Sequence, residues 1–85
     1  MHFTYDSQAD AIYAAIREAK GGERGCRQLD EQRIACIDHE GNVFAYELLF
    51  VSRGISFEGI DPQDAALIRE AIGTAIKSFE PLTVA

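Results

Sequence analysis

The order of apolar and polar positions divides the chain into two regimes. Up to residue 60 apolar side chains recur at alternate positions in short runs between turn-formers, and from residue 61 they recur at helical spacing. In "HFTY" Phe3 and Tyr5 alternate with His2 and Thr4. In "AIYAAI" Ile12, Ala14 and Ile16 share one face, and Ala11, Tyr13 and Ala15 the other. "DSQAD", between these two strands, is rich in turn-formers. "REAKGGERG" is polar with three glycines and predicts a loop. "CRQL" and "RIACID" predict strands joined at Asp30-Glu31-Gln32, and "DHEGN" predicts a turn in which Gly41 accepts a positive φ. "VFAYELLFV" carries the strongest strand pattern. Phe44, Tyr46, Leu48 and Phe50 fall on one face, with Val43, Ala45, Glu47, Leu49 and Val51 on the other. "ISFEGI" predicts a last short strand after Ser52-Arg53-Gly54.

The period then changes. Asp61 stands at the N-cap, Pro62 at the first helical position and Asp64 in the first turn. Ala65, Ile68, Ile72, Ala75, Ile76 and Phe79 form one apolar stripe, Gly73 weakens the helix by about 1 kcal/mol relative to alanine, and Pro81 ends it. The fold class is therefore α+β: an antiparallel β-meander of five or six strands over residues 1–60, with one C-terminal amphipathic helix over residues 61–80. The connections are too short for parallel crossovers. Residues 1–85 make a single domain.

This arrangement leaves apolar surface over. A helix of about 18 residues is roughly 27 Å long but about 10 Å wide, while five strands at roughly 4.8 Å per step measure about 20 Å across. The strand at residues 43–51 is apolar on both faces and needs a second layer, so a homo-oligomer, most simply a dimer, is expected. Leu67, off the helix's core stripe, is expected to add to that contact. A sheet curled on itself is the rival arrangement.

Composition narrows the possible partners. A chain of 85 residues buries only about 60–65% of its unfolded surface, and the usual aids to its stability are disulfides, a metal or an oligomeric partner. The net charge of -6 argues against nucleic acid, because phosphate binding needs an excess of Lys and Arg on one face. The densest cationic stretch, with Lys20, Arg24, Arg27 and Arg33, is interleaved with Glu23, Asp30 and Glu31 and reads as a solvated loop and hairpin. No apolar run approaches the about 20 residues of a membrane span. No basic start followed by an apolar run marks a secretory signal, so a cytoplasmic location with reduced thiols is expected.

Two stretches, "FTYDSQADAIY" and "IDHEGNVFAYELLFVS", together resemble the bacterial family catalogued as domain of unknown function 2283. The first is similar to that family's opening strand, Tyr-Asp turn, Asp-Ala and aromatic strand residue. The second is similar to its Asp-turn-Gly and apolar strand with an internal glutamate and a following serine. The resemblance covers about residues 2–58, and Ala45 stands where the family commonly has glycine. It implies a small β-rich domain without established chemistry. Its relatives look like companions of small toxin-like proteins, which implies an antitoxin-like or partner-binding role with a small protein partner.

Four polar positions are candidates for a site: Asp6, Asp10, Tyr13 and Glu47. Asp6 and Asp10 could each offer carboxylate oxygens to a cation, but their spacing matches no metal loop, and capping of their own turn explains both. Tyr5 and Tyr13 stand where they could pair across that hairpin. Glu47 shares an otherwise apolar face, where desolvation raises a carboxyl pKa unless a cation answers it. A structural hydrogen bond or ion pair is the favoured account, because nothing supplies a second catalytic group. Cys26, Cys36 and His39 invite a zinc reading, yet no fourth ligand is evident, and burial as small hydrophobes accounts for the cysteines. With a three-residue loop Leu29 opposes Arg33, and Cys26 and Cys36 fall level as free thiols. No phosphate loop, nucleophile elbow or HExxH occurs. The sequence thus points to a non-enzymatic, self-associating or protein-binding module with no catalytic residue, cofactor or metal. The alternative is a small enzyme or ligand-binding protein with a pocket around Glu47.

Overall fold

A computed structural model describes residues 1–75. Five strands, β1 (His2–Asp6), β2 (Ala11–Ala15), β3 (Glu23–Gln28), β4 (Arg33–Asp38) and β5 (Val43–Leu49), form one antiparallel sheet in the order β1-β2-β5-β4-β3. A short 3-10 turn over Val51–Arg53 and helix α1 (Pro62–Ala75) follow. The α+β class with an antiparallel β3-β4-β5 meander is as the sequence indicates, but β2 lies beside β5 and not beside β3. Composition explains this order. Ala11, Ile12 and Ala14 of β2 are buried, whereas every residue of β3 is exposed, so the polar strand takes the edge. The sheet is open, with β1 and β3 as its two edges, and does not curl into a barrel.

Carboxylates build the turns. Asp6 Oδ1 accepts the amides of Gln8 and Ala9 at 2.9 and 3.1 Å, and Asp30 Oδ1 accepts those of Gln32 and Arg33 at 2.8 and 3.0 Å. Asp38, 1% exposed, accepts from Glu40 and Asn42 with one oxygen and from the Lys20 amide with the other. Burial by itself raises the Asp38 pKa, but the N–H groups of Asn42, Lys20 and Glu40 and the Lys20 charge outweigh it and hold the carboxyl below its ordinary value.

The core lies between the sheet and α1. Ile12, Ala14, Ala35, Tyr46 and Leu48 meet Ala65, Ile68 and Ile72, and Val51, Ile55 and Ile60 close one end. Asp61 caps the helix through the Gln63 amide at 2.9 Å. The expected stripe is buried at Ala65, Ile68 and Ile72. The Ala75 side chain, Ile76, Phe79 and the stop at Pro81 lie outside the described residues.

Three expectations are corrected. "ISFEGI" is an irregular segment with a single bridge at Ile55, because Gly54 (φ 111°) and Gly59 (φ 81°) break the extended path on either side. β3 begins at Glu23, inside the expected glycine-rich loop. The alternation of residues 43–51 holds only in its middle. A bulge between the pairs Cys36↔Ala45 and Ile37↔Val43 places Phe44 with Cys36 and Ala45, and Val43 with the helix-side core. At the other end Phe50 adopts φ 55°, which leaves its ring 42% exposed and turns Val51 into the core.

Candidate functional site

The sheet face opposite α1 carries two of the four candidate residues. Strand register aligns Thr4, Tyr13, Glu47, Ile34 and Gln28 in one row, and His2, Ala15, Ala45, Cys36 and Cys26 in the next. Cys36, Phe44 and Ala45 form a small buried cluster, flanked by half-buried Tyr13, Ala15, Ala19 and Ile34. Glu47 is half-buried between Tyr13 and Ile34. The Tyr13 phenol is pushed up by burial, and then by the charges of Glu23 and Glu47. This is an apolar centre crossed by one carboxylate, with polar residues on both edge strands.

Asp6 and Asp10 do not form a joint site. Asp6 closes its own turn, as the sequence suggests. Asp10 does not cap that turn: its backbone is at φ 53°, and its carboxylate accepts from the Ser52 amide at 2.9 Å and the Ser52 hydroxyl at 2.6 Å. It fastens the β1–β2 turn to the 3-10 turn, a partnership between distant positions that no local pattern reveals.

A polar cleft of about 400 Å³ opens on the helix side, lined by Arg17, Glu18, Lys20, Asp38, Asn42, Val43, Tyr46, Asp61, Gln63 and Asp64. Glu47 is not in its wall. Asp64, 5% exposed, accepts from Arg17 Nη2 at 2.6 Å and from the Tyr46 hydroxyl at 3.0 Å. Arg17 Nη1 also donates to the Val43 carbonyl. Sequence reasoning placed Asp64 in the first helical turn and Tyr46 in the core without joining them. Asp64 has both oxygens engaged and Asp38 accepts three backbone amides, so both carboxylates anchor the walls of the cleft.

Burial, and then the Asp64 hydrogen bond and charge, push the Tyr46 pKa up to about 12. A folded pKa above the unfolded value of about 10 means that the folded state holds its proton more tightly. The stabilisation is complete below about pH 10 and is lost as pH rises from there through about 12. Alkaline unfolding monitored with tyrosinate absorbance is expected to show this loss in the wild type, and Tyr46→Phe is expected to flatten it.

The cysteine register is as derived: Cys26 pairs directly with Cys36, at a Cα separation of 4.0 Å. The expectation of free thiols is corrected, because the two sulfurs are joined and no free cysteine remains. The narrow antiparallel pair brings both side chains onto one face within bonding reach. Among the described residues the grouping of possible metal donors is Glu23, Cys26 and Cys36, with ligand atoms within 4.8 Å of one another. His39, the third member in the zinc reading, lies outside this group, beside Gly21.

No protein-family model matches the chain, and neither a curated protein nor a solved structure gives a significant match. Among the described residues no helix is long and apolar enough to cross a membrane.

Proposed function

We propose that the protein is a non-enzymatic self-associating module, a homodimer formed through the sheet face opposite the helix. The observation that carries this reading is the half-buried apolar centre of Tyr13, Ala15, Ile34 and Leu49 around fully buried Ala45, on a face that α1 does not cover. Five strands at about 4.8 Å and five to seven residues at about 3.3 Å give a flat area on the order of 450 Å² per copy. Two copies bury on the order of 1,000 Å², the lower end of specific interfaces. His2, Thr4 and Gln28 at the edges supply a polar rim. Glu47 lies on the central strand of this face, between Tyr13 and Ile34.

Leu67 plays no part in this contact. It lines an apolar groove with Met1 and Phe3 on the helix side. The alternative of a ligand pocket around Glu47 has less behind it, since the polar cleft lies on the other face. A cytoplasmic site of action belongs to the same reading.

Light scattering after size exclusion at tens of micromolar is expected to give twice the 9.4 kDa chain mass, and Ile34→Glu, which puts a charge in the middle of the face, is expected to return it to the single chain. A wild-type mass of 9.4 kDa overturns the dimer. A single chain that captures a small basic protein through the same face would replace self-association by the partner binding that the family resemblance implies.

A further inference from the structure

We propose that the reduced β3–β4 hairpin is a redox-gated site for a thiophilic divalent ion, zinc above all. Cys26 Sγ, Cys36 Sγ and the Glu23 carboxylate are the ligands, and water takes the fourth position. The donor set is built by the backbone. Strict alternation sends residues three apart on a strand to opposite faces, so Glu23 would point away from Cys26. The register shift between Glu23 and Gly25 inserts one extra residue and turns Glu23 back towards the cysteines.

The resulting approach is a van der Waals contact and no hydrogen bond, but it sets the carboxylate at ligand spacing from the sulfur. Glu23 Oε1 stands 3.5 Å from Cys26 Sγ, and a disulfide sulfur has no proton to donate to a carboxylate. A tetrahedral zinc with bonds of about 2.3 Å to sulfur and about 2.0–2.2 Å to oxygen holds those two ligand atoms roughly 3.5 Å apart. Its two sulfurs would stand about 3.8 Å apart, a distance that paired residues on adjacent strands can span by side-chain rotation alone. Two thiolates and a carboxylate form a soft-to-borderline set that selects zinc or cadmium over magnesium or calcium. Glu23 and Cys26 are exposed on an edge strand, at the rim of the face proposed for self-association, so ion and reductant can reach them from the sheet edge.

The chemistry balances. Two molecules of a small thiol reduce the Cys26–Cys36 bond, yielding two protein thiols and the reductant's disulfide. Zinc then binds both sulfurs and displaces their two protons. Hydrogen peroxide reverses this: the thiolate pair gives two electrons, the S–S bond forms, the O–O bond breaks, two protons are taken up, two waters leave and the ion is freed.

The test is titration of the full chain, reduced and freed of reductant under anaerobic conditions, with Cd²⁺ as the optical probe and Zn²⁺ in competition. Reduced wild type is expected to take up one Cd²⁺ per chain with a sulfur-to-metal charge-transfer band, and Zn²⁺ is expected to displace it. Oxidised protein is expected to bind none, and peroxide is expected to release one equivalent of Zn²⁺ to a chromophoric chelator. Glu23→Gln is expected to weaken binding by about tenfold or more, at least the cost of losing an outer-sphere partner. Cys26→Ser, at an exposed position, is expected to abolish the band with the fold intact by circular dichroism. Absence of the band in reduced wild type overturns the site. So does a Glu23→Gln variant that binds as tightly as wild type, because the carboxylate is then no ligand.

Discussion

Replacing Ile68 by alanine is expected to lower the unfolding free energy by about 3–5 kcal/mol, the upper range for a fully buried aliphatic residue. Ile68 is 0% exposed, lies in the middle of α1 and belongs to the cluster that joins the helix to Ile12, Tyr46 and Leu48 of the sheet. The sheet beneath cannot collapse into the vacancy, because its strands are held at fixed spacing by their ladders. A chain of this length is stable by roughly 4–13 kcal/mol, so the substitution removes a large share of the total. Leu67→Ala is the control: Leu67 is 41% exposed on the same helix, and its loss is expected to cost less than about 1 kcal/mol. Urea titration checks both, with an unchanged slope and a lowered midpoint for Ile68→Ala.

Reducing the Cys26–Cys36 bond in metal-free buffer is expected to cost about 2.5–3 kcal/mol. The bond closes a loop with a sequence separation of 10, and chain-entropy arithmetic for about ten residues gives that magnitude. Among the described residues β3 pairs with β4 alone, and all six of its residues are exposed, so without the bond its ladder to β4 carries it. Thermal melts with and without a phosphine reductant measure the effect. A fall in Tm of more than about 10 °C is expected for a domain of this size. A Cys26→Ser/Cys36→Ala double variant is expected to melt with the reduced wild type and to ignore the reductant. Equal melting of oxidised and reduced wild type would sink the prediction.

The legible parts of the fold are those encoded over short distances. The strand "RIACID", the Asp30-Glu31-Gln32 loop and the Asp61-Pro62 helix start all need only neighbouring residues, and each stands where expected. The level placement of Cys26 and Cys36 follows from counting back from that loop. What escaped the sequence depends on backbone irregularity or distant pairing. A bulge exchanges Val43 and Phe44 between faces, and a left-handed Phe50 exchanges itself with Val51, yet neither position carries the glycine that would announce it. The candidate site divides the same way. Tyr13 and Glu47 share a face because both sit in regular strand. Asp10 meets Ser52, and Asp64 meets Arg17 and Tyr46, only because the strand order brings remote segments together. Glu23 joins the cysteines through an irregularity beside Gly25, a strand glycine that could have signalled it.

The strand order also sets the sequence of events by which the chain folds. β1 with β2, and β3 with β4 and β5, are hairpins whose loops close quickly and independently. The β2–β5 seam instead joins Ala11 to Leu49 and Ala15 to Ala45, with an intervening loop of roughly thirty residues whose closure costs about 3 kcal/mol of chain entropy. Zipping of this seam is therefore the slow, committing step, and the two hairpin units on either side are the natural units of partial opening. During synthesis β2 emerges long before β5. Until the later strand arrives, the first hairpin waits with an apolar, unpaired edge, and this is the interval in which the nascent chain is most exposed to aggregation.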